Sequence, residues 1–188
     1  MDLTRGDLVL DIGSNDGTLL KAYREPGLVK LGIDPTGAKF AEFYPADVTL
    51  VPDFFSRANV VSAAGNARAK IITSIAMFYD LGDPVAFARD VHDSLADDGI
   101  WHFEQSYLPS MLRQNSYDTV CHEHVEYYSL TAITTILERA GLEVTNVVMN
   151  MVNGGSFAVT ASRKKGSTRK AYPPVVRLQA EIDVLRRT

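Results

Sequence analysis

The 188-residue chain reads as an α/β protein: a Rossmann-like, mostly parallel seven-stranded sheet that closes on a carboxy-terminal antiparallel hairpin. Three observations predict this. Short apolar runs alternate with amphipathic stretches, as in strand–helix–strand units. The first run, "DLVLDIG", ends in a glycine turn that leads straight into a helical stretch. The last two runs, "LEVTNVVMN" and "GSFAVTAS", have no helix between them and so pair as neighbours.

The elements follow in order. After "DLVLDIG", the segment "DGTLLKAYREPG" places Leu19, Leu20 and Tyr23 on one helical face, and Pro26-Gly27 stops it. "VKLGID", "DVTLV" and "KIITSI" supply the second, third and fourth strands. "DPVAFARDVHDSLADDG" predicts a strong amphipathic helix, with Asp83 as N-cap, Pro84 in the first turn, and Phe87, Val91 and Leu95 on its apolar stripe. "GIWHFEQS" is the fifth strand, with Trp101 and Phe103 directed to the core. "SLTAITTILERAG" is a helix capped by Ser129 and ended by Gly141, which buries Ile133, Ile136, Leu137 and Ala140. The division expected is a core over residues 1–162. A basic break, "SRKKGSTRK", and an amphipathic helix then occupy residues 163–188, as the start of a further domain or a subunit contact.

Composition narrows the function. A net charge of −4 with dispersed basic residues carries no electrostatic footprint for nucleic acid. One cysteine makes no internal disulfide and fits a reducing compartment. The amino terminus lacks the pattern of a signal peptide, and no apolar run is long enough for a bilayer. The expectation is a cytoplasmic protein with a small-molecule substrate and no membrane partner.

The chemistry starts at "VLDIGSNDGTLL". Gly13 and Gly17 at a strand-to-helix turn let a ligand approach the backbone. The dinucleotide pattern G-x-G-x-x-G is broken, because the middle glycine is missing. Asp11 and Asp16 would repel a pyrophosphate. They favour a ligand with an ammonium group and a sulfonium centre, as S-adenosylmethionine has. Asp34, ending the second strand, is placed to accept hydrogen bonds from ribose hydroxyls.

The second cluster is "YDTVCHEHVEYYS", residues 117–129. It lies in a long connection after the fifth strand, and such loops tend to carry function. His122 and His124 point the same way if the segment is extended, but a metal site would need a third ligand and no H-E-x-x-H pattern is present. The residues alternatively satisfy loop backbone groups, or they transfer protons. A neutral imidazole held by a carboxylate is a base near pH 7, which suits His124 with Glu123 or Glu126 beside it.

"VLDIGSNDGTLL" followed by "GIDP" resembles the first two cofactor motifs of class I S-adenosylmethionine-dependent methyltransferases. "FEQSYLPSML", "YDTVCHEHVEYYSL" and "NGGSFAVTAS" are similar to the sugar C-methyltransferases, which methylate a ring carbon of nucleotide-linked keto-deoxysugars. The resemblance implies that Asp11, Gly13, Ser14, Asn15 and Gly17 cradle the methionine end of the cofactor, and that Asp34 and Pro35 hold its ribose side. Phe54 or Phe55 would meet adenine, and Ala76 and Met77 would line the methyl-transfer point. His124 would take the proton next to the sugar ketone, assisted by Glu123, with His122 and Asp80 close by. Tyr79, Gln105, Tyr107 and Tyr117 are the expected substrate contacts, with no metal. The chain departs from the family at Cys121, which stands where a tyrosine is common, and at Asp80 and Asn153, where histidines are common. Family members also carry an N-terminal zinc-binding domain and a C-terminal domain. This chain is therefore expected to be a core whose flanking domains are missing, or a stand-alone homodimer.

Overall fold

The computed structural model describes residues 2–164. The expected basic break beyond Lys164 and the C-terminal helix lie outside the described residues. One seven-stranded sheet runs in the order β3-β2-β1-β4-β5-β7-β6. Its strands are β1 Leu8–Ile12, β2 Val29–Ile33, β3 Val48–Val51, β4 Ala69–Ile75, β5 Leu95–Ser106, β6 Leu142–Asn150 and β7 Ser156–Arg163. The first five pair in parallel, while β7 runs antiparallel to both β5 and β6. Chain order reverses between β1 and β4, which opens a crevice at the carboxyl ends of those strands.

The helices are α1 Thr18–Ala22, α2 Arg57–Ala64, α3 Pro84–Ser94, α4 Leu108–Gln114 and α5 Leu130–Arg139. Three caps bind as helix N-termini require. Ser56, Asp83 and Ser129 accept from the backbone N–H groups of Asn59, Ala86 and Ala132. Gly141, with φ at 78°, turns the chain out of α5.

The structure departs from the sequence expectation in four places. α1 stops at Ala22, well before Pro26, because Tyr23 turns extended to join Val9, Leu20 and Leu28 in a small apolar cluster. α3 ends at Ser94, and Leu95 opens β5 instead of continuing the helical stripe. α2 had no clear sequence stripe, since it buries only Val60. α4 occupies the start of the connection after β5 that reads as a plain loop.

The main core lies between the sheet and α3 and α5. Phe78, Trp101 and Phe103 are fully buried, with ring centroids 4.3 to 5.5 Å apart, and Trp101 Nε1 donates to Ser74 Oγ at 3.0 Å. That dense aromatic packing holds the ends of β4 and β5, from which the site is built. No helix among the described residues is long and apolar enough to cross a membrane.

Candidate functional site

The glycine loop runs from β1 to α1. Gly13 N donates to the Ile33 carbonyl at 2.8 Å, and Gly17 N to Ser14 O at 2.8 Å. Both glycines are left-handed, with φ at 72°. Neither position is simply open for a ligand. A Cβ on Gly17 would stand 3.0 Å from the Tyr44 ring, and one on Gly13 would stand 3.4 Å from Met77. These glycines therefore let two side chains press on the loop from its own fold.

Its acids divide in role. Asp16 does not face the crevice as expected. Its carboxylate accepts from Thr18 N at 3.0 Å and Thr18 Oγ1 at 2.8 Å, and these bonds lower its pKa. It is spent on the start of α1. Asp11 is buried and accepts from Thr73 Oγ1 at 2.6 Å. Burial pushes its pKa up to about 6, the Thr73 bond opposes this, and the neighbouring Asp34 charge adds to it. Asp34 is buried at the end of β2. It accepts from Asn15 N at 2.9 Å, Thr36 N at 2.6 Å and Thr36 Oγ1 at 2.7 Å. A carboxylate takes about four hydrogen bonds, so roughly one position stays open to a ligand.

A cavity of about 330 Å³ adjoins this loop. Gly13, Asp34, Pro35, Thr36, Phe54, Phe55, Met77 and Asp80 are among its lining residues. None of the lining residues is basic. Phe54 is 73% exposed, whereas Phe55 packs on Phe87 with centroids 5.0 Å apart. Only Phe54 is thus free to move onto a planar ligand. Ala76 is not in the lining. Its left-handed φ of 54° turns the chain after β4, with its N–H on the Glu104 carbonyl at 2.8 Å, so that Met77 comes over Gly13.

The histidine segment docks on the same turn. Val125 N and Glu126 N both donate to the Tyr79 carbonyl at 3.1 Å, and the Tyr79 and His124 rings meet at a 48° tilt with centroids 4.2 Å apart. The segment is not extended: a turn is closed by His124 N on Cys121 O at 3.3 Å. His122 is 91% exposed and stands 3.8 Å from Glu123, while His124 is half-buried. The group orienting His124 is not a carboxylate. Its Nδ1 lies 2.7 Å from the Thr119 carbonyl. A carbonyl only accepts, so Nδ1 carries the hydrogen and the neutral ring keeps its lone pair on Nε2. Asp80 links the two regions. It lines the cavity, burial raises its pKa, the nearby His124 charge opposes this, and Glu123 adds to it.

The expected substrate contacts are dispersed. Tyr107 is buried, packs on Phe157 with centroids 4.9 Å apart, and bridges to Tyr128. Tyr117 is 76% exposed and lines a small apolar cavity of about 150 Å³ with Leu108, Met111 and Val120. Gln105 is buried with neither amide atom hydrogen-bonded, and the buried Tyr128 hydroxyl is likewise unpartnered. Tyr44 and Thr73 were missed from the sequence because nothing local marks them. They reach the site from elements distant in the chain. Among the described residues no three His, Cys, Asp or Glu side chains gather closely enough to hold a metal ion.

Comparison with known proteins sets this geometry in context. Residues 3–147 match the methyltransferase domain family. The chain is 32% identical over 180 residues to the C-methyltransferase NovU of Streptomyces niveus, an alignment that takes in 95% of this chain and 43% of that protein. The chain thus spans less than half the length of this curated relative. The structure of LepI in complex with S-adenosylmethionine superposes with a TM-score of 0.64 at 12% identity, over 85% of this chain and 43% of LepI. A TehB-like S-adenosylmethionine-dependent methyltransferase from Corynebacterium glutamicum gives 0.57 at 18% identity, over 86% and 83%. At such identities the likeness is one of fold.

Proposed function

The chain belongs to the methyltransferase domain family, and on that premise we propose that it binds S-adenosylmethionine and methylates a carbon next to the ketone of a nucleotide-linked keto-sugar. The observation that carries the donor half is the acidic cavity. Asp34 and Asp80 line it, Asp11 stands behind it, and no basic side chain is present to meet a diphosphate. An adenosine-bearing cation fits this wall. The loop of Gly13, Ser14 and Asn15 would hold the methionine end, Asp34 and Pro35 the ribose, and Phe54 the adenine. When bound, S-adenosylmethionine supplies an electrophilic methyl group.

The acceptor half rests on His124. A carbon beside a ketone becomes nucleophilic only after losing a proton, so the site needs a base and a means to steady the oxyanion. The Nε2 lone pair of His124, held in that tautomer by the Thr119 carbonyl, is the base we assign. Glu123 and Asp80 provide negative charge that stabilises the imidazolium once the proton has moved. Cys121 cannot bond an oxyanion as a phenol would, so Tyr79 or Tyr117 takes that part in this reading. NovU, named a C-methyltransferase, supports the choice of carbon over oxygen.

The test is proton exchange. A nucleotide-linked keto-deoxysugar is incubated with the chain and S-adenosylhomocysteine in deuterated water. Deuterium should enter at the carbon beside the ketone. No exchange there, together with methyl transfer once S-adenosylmethionine replaces S-adenosylhomocysteine, would replace this reading with O-methylation of a hydroxyl acceptor. If this chain is inactive alone and active only when the flanking regions of a longer protein are added, the domain division proposed at residues 162 and 163 is supported.

A further inference from the structure

We propose that Tyr44 is a positioning residue for the cofactor: its hydroxyl and ring hold the glycine loop in the shape that receives the methionine end of S-adenosylmethionine. The inference rests on the donor reading above and names a residue that no sequence motif marks.

Tyr44 follows the 3-10 turn Gly37–Phe43, 29 residues after Asn15 in the chain, yet its Oη lies 2.8 Å from the Asn15 carbonyl and 2.7 Å from Ser14 Oγ. The carbonyl can only accept, so the single phenolic hydrogen goes to it. The Ser14 hydroxyl must then donate to Tyr44. Its hydrogen is committed inside the protein, and Ser14 Oγ can offer a ligand only acceptor capacity. Asn15 is left-handed, with φ at 48°, a conformation that side chains other than glycine seldom take. Its N–H is bound by Asp34 at 2.9 Å and its C=O by Tyr44. Both polar groups of this strained residue are therefore anchored, one on each side of the loop.

Two glycines fit the same purpose. A Cβ on Gly17 would stand 3.0 Å from the Tyr44 ring. One on Gly32, in β2, would stand 2.7 Å from Ser14 Oγ and 3.1 Å from the ring. Their missing side chains make room for the tyrosine against the loop. Tyr44 itself does not line the cavity, so it acts through Ser14 and Asn15.

Calorimetry of Tyr44→Phe with two ligands tests this. S-adenosylmethionine engages the loop, whereas adenosine lacks the methionine part and reaches only the Asp34 and Phe54 side. Losing the hydroxyl should weaken S-adenosylmethionine roughly five- to twentyfold while changing adenosine less than about twofold. Equal weakening of both ligands would make Tyr44 a general structural residue and overturn the proposal, as would unchanged affinity for S-adenosylmethionine. Failure of the wild-type chain to bind S-adenosylmethionine would instead sink the donor reading itself. Should the phenylalanine variant fail to fold, Tyr44→Leu, which likewise removes the hydroxyl, serves for the same ligand ratio.

Discussion

The glycine loop and the histidine segment, which meet the same turn at Met77 and Tyr79, are held in different ways. The glycine loop is bound from three elements. β2 holds Gly13 and, through Asp34, Asn15; the turn before β3 contributes Tyr44; and β4 contributes Thr73 beneath Asp11. The histidine segment is anchored at its end by the buried Tyr128, which bridges to Tyr107, but its middle rests on one carbonyl, that of Tyr79, and on the tilted contact of the His124 and Tyr79 rings. It also leaves Tyr117, Val120 and Val125 more than half exposed. The difference teaches that the loop proposed to hold the donor is bound on all sides, whereas the middle of the segment proposed to meet the acceptor has few bonds to the body. A site that receives one fixed cofactor benefits when its loop is already ordered, because less freedom is lost on binding. A site that must admit a bulky acceptor gains from a segment with few bonds to break.

Substitutions can break or sharpen that contrast. The largest effect is expected at His124. His124→Gln should lower methyl transfer about 10²- to 10⁴-fold, with S-adenosylmethionine affinity kept, as steady-state kinetics and calorimetry together would read. A parallel loss of affinity would mean that the two sides are not separate. Next comes Asp34→Ala, which removes the proposed ribose contact and also frees Asn15 N and Thr36. It should weaken S-adenosylmethionine by about 10- to 100-fold, measured by calorimetry at constant pH.

The third effect is a pH dependence seated at Asp11. Its folded pKa of about 6 stands above the ordinary carboxylate value of 3.8. Between those two values the folded chain binds more protons than the unfolded one, so this group's contribution to stability falls as pH rises through that window. A cationic ligand favours the ionised carboxylate. Affinity for S-adenosylmethionine should therefore rise about tenfold from pH 5 to pH 7, with proton release on binding, and Asp11→Asn should flatten the profile. An affinity that falls over the same range would contradict the electrostatic account.

The smallest effect concerns Gln105, whose buried amide has no partner. Gln105→Leu removes an unsatisfied group and should raise stability by about 1 kcal/mol, seen as a higher melting temperature. If Gln105 also meets the acceptor, as proposed, the same variant should turn over more slowly. A more stable variant with full activity would assign the amide no role in catalysis.

Much of this was legible in the chain itself. Asp83, Pro84, Ser129 and Gly141 mark helix ends by local chemistry, and those ends appear where the residues put them. The runs of β1 and β2 became strands because both are short, almost wholly buried and bounded by turn residues. α4 was not legible, since its residues face both the close Ser110-Gly155 approach and open solvent at Leu112. The roles of the acids were not legible either. Asp11, Asp16 and Asp34 look alike in sequence, yet one is buried against Thr73, one binds Thr18 at the surface and one, also buried, braces the loop at Asn15.

The sequence by itself determined the order of elements, the glycine turn at the head of the sheet and the presence of an acidic, histidine-bearing crevice. Periodicity and capping act over a few residues and need no distant partner. Only the tertiary structure decided that His122 is exposed while His124 is half-buried, that a backbone carbonyl sets the His124 tautomer, and that Tyr44 fills the space left by Gly17 and Gly32. Hydrogen bonds and burial of that kind join residues far apart in the chain, and their energies depend on where the fold brings each atom.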